Sequence, residues 1–138
     1  MASLEPGAAL TPLTFTVTRA DLIRYAGASG DFNPIHWSDR IAGAVGLPGV
    51  IAHGMFTMAL AARAVAIWTD GAEVVEFGCK FTQPVVVPDT DAGTEVRFAA
   101  VVKDSVDGLV TLALEATCGD VKVLGLPRAT VRVSPAQV

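Results

Sequence analysis

The sequence predicts one α+β domain over residues 1–138: a long central helix wrapped by a curved antiparallel sheet of about five strands. Three observations carry that expectation. The stretch from Ile51 to about Trp68 is apolar on nearly every face, as a buried helix should be. Everything after it alternates apolar and polar residues between short turns, the period of half-buried strands. One further alternating stretch, Leu13–Val17, lies ahead of the helix. At 138 residues there is room for one good core and not for a second.

Taken in order, Met1 to Pro12 reads as an extended or frayed lead-in, because Pro6, Gly7 and Pro12 block regular structure. Leu13–Val17 is the first strand. Thr18 suits an N-cap, and Asp21 three residues later completes a capping-box variant. The short helix that follows should bury Leu22, Ile23 and Ala26 and stop between Gly27 and Gly30. Ser38 can cap a second short helix, with Ile41, Ala42 and Val45 on one face and Gly46 at its end. In the long helix, Met55, Phe56, Met58, Leu60, Val65 and Ile67 leave Arg63 as the lone charge, which must reach solvent or a partner. Beyond it, Val75, Phe77, Cys79 and Phe81 share one parity. Val96, Phe98, Ala100 and Val102 share another, as do Val110, Leu112, Leu114, Ala116 and Cys118 after an Asp107-Gly108 turn. Val121 to Val133 closes the sheet, with Pro127 at a bulge or edge position.

Bulk composition removes several function classes. The chain is 51% hydrophobic and 17% charged, so part of its apolar surface is expected between subunits. A formal net charge of −4 and the absence of a Lys/Arg cluster argue against nucleic-acid binding. Val50 to Trp68 is long enough to question as a membrane span, but it carries His53, Gly54 and Arg63; a core helix fits better, and no membrane partner is expected. No basic, then apolar, leader opens the chain, so a cytoplasmic location is the expectation. Cys79 and Cys118 are too few for a disulfide framework and read as small core residues. The two histidines sit in separate motifs without metal-ligand spacing, so no metal is expected.

One stretch stands apart from this framework: Tyr25-Ala-Gly-Ala-Ser-Gly-Asp-Phe-Asn-Pro-Ile-His36. It places the carboxylate of Asp31 and the imidazole of His36 on backbone that Gly27, Gly30 and Pro34 bend away from regular structure. On a bent loop the two can converge on one water, as general acid–base chemistry requires. The residue types alone favour a plainer reading: Asp31 and Asn33 as Asx-turn residues, with His36 an ordinary loop histidine.

The whole string resembles the signature of the MaoC-like, (R)-specific enoyl-thioester hydratases, in which an aromatic residue is followed by Ser/Thr-Gly-Asp-x-Asn-Pro-hydrophobic-His. Tyr25, Ser29, Gly30, Asp31, Asn33, Pro34, Ile35 and His36 fall into place, and Ala52-His53-Gly54-Met55 resembles the His-Gly-Met that opens the family's central helix. Within the family, the Asn33–Trp37 run and the short length are most similar to the catalytic beta subunit of the mycobacterial type II fatty-acid synthase dehydratase.

The resemblance implies a hotdog fold and reversible hydration of trans-2-enoyl thioesters to (R)-3-hydroxyacyl thioesters. Asp31 and His36 would be catalytic, and no cofactor is needed beyond the coenzyme A or acyl carrier protein that bears the substrate. It also implies a homodimer, or a heterodimer with a related hotdog chain. Gly54, in the helix's first turn, could offer an N–H to the thioester oxygen. Asn33 would position the loop, and Tyr25 and Ser29 would be structural. Met55, Phe56 and Met58 would line an acyl tunnel. His53 is read only as a helix-start residue, outside the site. Some relatives carry a serine where this chain has Ala59, with Thr57 nearby, which leaves an auxiliary hydroxyl contact at that point without its residue. A hotdog thioesterase, a polyketide-pathway dehydratase and a non-catalytic acyl-thioester-binding partner subunit are the competing readings.

Overall fold

The computed structural model describes residues 3–135. The first two residues of the expected lead-in, Met1 and Ala2, lie outside the described residues. In order come β1 (Ala9–Val17), α1 (Arg19–Ser29), a 3₁₀ turn (Pro34–His36), α2 (Asp39–Ala44) and α3 (Gly54–Trp68). The strands β2 (Glu73–Phe81), β3 (Thr94–Val106), β4 (Leu109–Cys118), β5 (Val121–Lys122) and β6 (Leu124–Arg132) follow. All pairings are antiparallel in the order β1-β3-β4-β6-β2, with β5 pairing β4. This is the hotdog arrangement, a single curled sheet around α3. The expected last strand is split: the chain pairs with β4 as β5, then leaves it and rejoins as β6, making six strands rather than about five.

The apolar parity of the central strands becomes the concave face. Val96, Phe98, Ala100 and Val102 of β3 face Val110, Leu112, Leu114 and Ala116 of β4, and all are buried. Asp107 and Gly108, both with positive φ, form the tight turn between them. Burying a side chain such as Phe98 is worth about 1.5–3 kcal/mol. Gly93, at φ +61, leads into β3 pressed on the end of β1: a Cβ there would lie 2.1 Å from the Val17 carbonyl oxygen. A glycine is required by contact as well as by φ.

Several sequence expectations are corrected. Residues 3–12 are not frayed: Leu4 is buried, and β1 starts at Ala9 and passes Pro12 through a bulge between Leu10 and Leu13. At that bulge the Thr11 carbonyl accepts the Trp68 indole N–H at 2.7 Å. In α1, Leu22 and Ala26 are buried but Ile23 is exposed, because the helix shows the core only a narrow face. Gly27 stays helical, and Gly30 alone, at φ 79, ends the helix. Val45 is exposed beyond the end of α2, whose core contact is Ala42. Two bulges in the β2–β6 pairing, at Val74/Glu76 and Gly78/Lys80, break the single parity of β2 and leave Val75 and Phe81 exposed. Cys79 and Cys118 pack against the core, and burial pushes the Cys79 thiol up.

The long helix departs furthest from expectation. It starts at Gly54 rather than Ile51, and it is buried on one side only, through Thr57, Leu60, Ala61, Ala64, Val65 and Trp68. Met55 and Ile67 are more than half exposed. Arg63 lies over the Phe15 ring, 4.8 Å from its centroid. Among the described residues no helix is long and apolar enough to cross a membrane.

The capping box at α1 holds the chain that delivers the loop of Asp31. Thr18 Oγ1 accepts the Asp21 N–H at 3.3 Å, and Asp21 Oδ2 accepts the Thr18 N–H at 2.9 Å. Thr18→Ala should lower stability by about 1 kcal/mol in urea denaturation with an unchanged m-value.

Candidate active site

The Asx turns are present, and they engage one oxygen of Asp31 while the other approaches His36. After Gly30, the Asp31 N–H donates to Ser29 Oγ and Asp31 Oδ1 accepts the Asn33 N–H, both at 3.1 Å. Asn33 Oδ1 in turn accepts the Ile35 N–H at 3.2 Å, capping the 3₁₀ turn that Pro34 begins. Two successive side-chain turns thus spend Oδ1 on local structure and leave Asp31 Oδ2 facing His36. Trp37 braces the loop by donating its indole N–H to the Phe32 carbonyl at 2.9 Å.

His36 is buried while half of the Asp31 side chain is open to solvent. His36 Nδ1 lies 2.7 Å from the Ile51 carbonyl oxygen. A carbonyl only accepts, so Nδ1 carries the proton and the neutral ring's Nε2 is a bare lone pair. That Nε2 is 3.9 Å from Asp31 Oδ2. The separation is too wide for a hydrogen bond, and a water bonded to both at about 2.8 Å would sit to one side of the line joining them.

The residue that sequence reasoning left out is His53. It is 2% exposed, and its ring stacks on that of His36 with centroids 3.8 Å apart and planes 22° apart. Its Nε2 is 3.1 Å from the Asp31 carbonyl oxygen, and Tyr25 packs against it edge-on. Desolvation holds the His53 imidazole below the usual histidine range, and the nearby His36 adds to this; the Asp31 carbonyl and the Asp31 charge oppose it. The signal that could have found it was the second histidine itself, adjacent to the glycine already chosen.

Asp31, His36 and His53 offer atoms within 4.8 Å of one another, so separate motifs did not keep the ligand-type residues apart. One nitrogen of each ring, His36 Nδ1 and His53 Nε2, is already spent on a carbonyl oxygen. A zinc-type ion needs lone pairs converging at about 2.0–2.1 Å. The constellation suits proton transfer better.

Gly54 is the first residue of α3, directly after His53, and its N–H meets no acceptor among the described residues. A Cβ on Gly54 would stand 3.1 Å from three atoms of the Phe81 ring. Beside it lies a cavity of about 260 Å³ whose walls include Ile51, Ala52, Thr57, Phe81, Pro84 and Leu124. Met55 and Met58 line a different hollow with Tyr25, Ala59, Val74 and Phe77, and Phe56 packs on Tyr25. The two hollows share no lining residue, so the methionines are not brought to the Gly54 cavity. Thr57, not Ala59, puts a hydroxyl-bearing side chain there.

This fold and loop define a class, and comparison with known proteins names it: residues 3–117 match the family model for the MaoC like domain, and the chain belongs to that family. A 75-residue stretch, 54% of the chain, is 43% identical to 3-hydroxyacyl-thioester dehydratase X of Mycobacterium tuberculosis. That stretch is 26% of the relative, so the chain spans about a quarter of the length of the curated protein it matches. A solved structure titled MaoC-like dehydratase superposes with TM-score 0.90 at 34% identity, over 96% of this chain and 42% of that one. The (R)-hydratase from A. caviae involved in PHA biosynthesis shares the fold, with TM-score 0.83 and 23% identity, over 96% and 98% of the two chains. So does the HadBC (3R-hydroxyacyl-ACP dehydratase) complex of Mycobacterium tuberculosis, with TM-score 0.70 and 21% identity, over 94% and 98%.

The buried His53 links the site to stability. An unfolded histidine takes a proton near pH 6.5, whereas His53 resists until lower pH. Its contribution is therefore whole above about pH 6.5 and is lost as pH falls through the folded value. The fall in urea midpoint from about pH 7 to about pH 5 should be shallower in His53→Gln than in the parent.

Proposed function

We propose that this chain hydrates trans-2-enoyl thioesters, and dehydrates (R)-3-hydroxyacyl thioesters in reverse, in fatty-acid metabolism. The observation that carries the reading is the approach of Asp31 Oδ2 to within 3.9 Å of the bare Nε2 of His36, close enough for one water to bond both. A water there donates to both acceptors, which makes its oxygen more nucleophilic and aims a lone pair away from them. The oxygen attacks C3 of the enoyl group as a proton passes to the pair. The C2=C3 electrons move toward the thioester oxygen, and the proton returns to C2 on the same face. Water is consumed, the pair ends as it began, and the addition is syn.

Negative charge builds on the thioester oxygen as the enolate forms. The Gly54 N–H, at the positive end of α3 and beside the cavity, is the donor proposed for it. No cofactor is required in this scheme, since proton transfer and one N–H donor supply the chemistry. Retention of both Asp31 and His36 favours an enzyme over a non-catalytic binding subunit. The free thiols Cys79 and Cys118 fit a cytoplasmic setting.

The second part of the proposal is assembly with another hotdog subunit, a second copy of this chain. Among the described residues β2 pairs with β6 only, which leaves its other edge open, and Val74, Val75 and Phe81 are exposed along it. Met55 and Ile67 extend that apolar surface onto α3. An open edge flanked by apolar side chains is a template for pairing. The relatives' titles include a complex of two subunits, HadBC, which supports a paired assembly.

Asp31→Asn and His36→Gln should each lower turnover on a trans-2-enoyl-CoA by about 10²-fold or more, with circular dichroism unchanged. Near-parental activity in either folded variant would overturn the dyad. Static light scattering should return at least twice the mass of one chain; a stable single-chain particle would refute the assembly.

A further inference from the structure

We propose that His53 is a positioning residue whose Nε2–H anchors the Asp31 peptide to the start of α3. The inference rests on the hydration reading above and deepens it. The Asp31 carbonyl, 3.1 Å from His53 Nε2, can only accept, so the proton sits on Nε2. Nδ1 is then a bare lone pair. It is buried, and among the described residues it has no hydrogen-bond partner. Core packing alone has no use for such a nitrogen, which an apolar side chain would avoid. The arrangement makes sense if the ring is there for its other nitrogen.

Geometry gives that nitrogen its task. Asp31 belongs to an open loop with half its side chain in solvent, while His36 is tied to Ile51 and buried. Asx turns fix the loop internally but not against the helix. His53 makes that missing connection. It holds the Asp31 backbone, covers one face of the His36 ring, and directly precedes Gly54 in the chain. One residue thereby sets the spacing between the carboxylate, the imidazole and the N–H donor. Misplacement by about 1 Å can cost about 10²-fold in rate, so the anchor matters without touching substrate. The two stacked rings must hold opposite tautomers: His36 protonated on Nδ1, His53 on Nε2.

Two amide variants separate this role from simple packing. The amide nitrogen of Gln reaches the place of Nε2, whereas that of Asn reaches only the place of Nδ1. On a trans-2-enoyl-CoA, His53→Asn should lose roughly 10- to 100-fold in kcat with KM within roughly threefold. His53→Gln should recover at least roughly tenfold of that loss although it has no ring to stack. Nitrogen-15 NMR of the wild-type imidazoles should show Nε2–H on His53 and Nδ1–H on His36. Equal kcat for the folded Gln and Asn variants, or an Nδ1–H tautomer on His53, would overturn the inference. If the wild-type chain hydrates no enoyl thioester, the hydration reading fails by itself, and the tautomers still decide whether His53 anchors Asp31. The tautomers decide it as well if neither variant folds.

Discussion

Residue 51 is where the two halves of the site are sewn together. The Ile51 N–H donates to the Ile35 carbonyl at 3.1 Å, and the Ile51 carbonyl accepts His36 Nδ1–H at 2.7 Å. On its other side the segment meets the stretch before β3: Ala52 N–H bonds Val85, and Val87 N–H bonds Val50, at 2.9 Å each. The extended Val50–Ala52 segment is therefore a shared wall. It sets the His36 tautomer, and it delivers His53 and then Gly54 to the face where Asp31 emerges. Arg19 and Asp39 reinforce the same junction. Asp39 Oδ1 accepts Arg19 at 2.9 Å and the Val50 N–H at 3.1 Å, and these bonds hold its carboxyl below the usual carboxylate range.

The loop was legible because its residues are restrictive one by one. Pro34 bars Asn33 from helix, Gly30 ends α1 with positive φ, and Asp31 and Asn33 bond backbone two residues on. The central strands were legible because burial on one face leaves period two in the sequence. What periodicity could not carry was the bulge. A single extra residue in β2 reverses the parity after it, and nothing local marks the place. His53 was harder to read for another reason: its contact lies across the fold, and its place beside Gly54 was the one local sign of it.

The apolar surplus read from composition is accounted for in an unexpected place. It does not encase α3; it lies outside, on Met55 and Ile67 of the helix and on Val74, Val75 and Phe81 of an unpaired sheet edge. A helix apolar all round signalled burial, and the sequence could not say whether this chain or another does the burying.

Gly93 carries a different consequence. Its missing side chain makes room for the Val17 carbonyl at the junction of β1 and the α1 cap, remote in sequence from the loop of Asp31. In a survey of tolerated substitutions scored by growth or turnover, this position would look as inflexible as Asp31 or His36. The inflexibility would record the closing of a turn and nothing about substrate. Maps of mutational tolerance in this family thus mix two kinds of intolerance, and only a folding measurement made alongside activity pulls them apart.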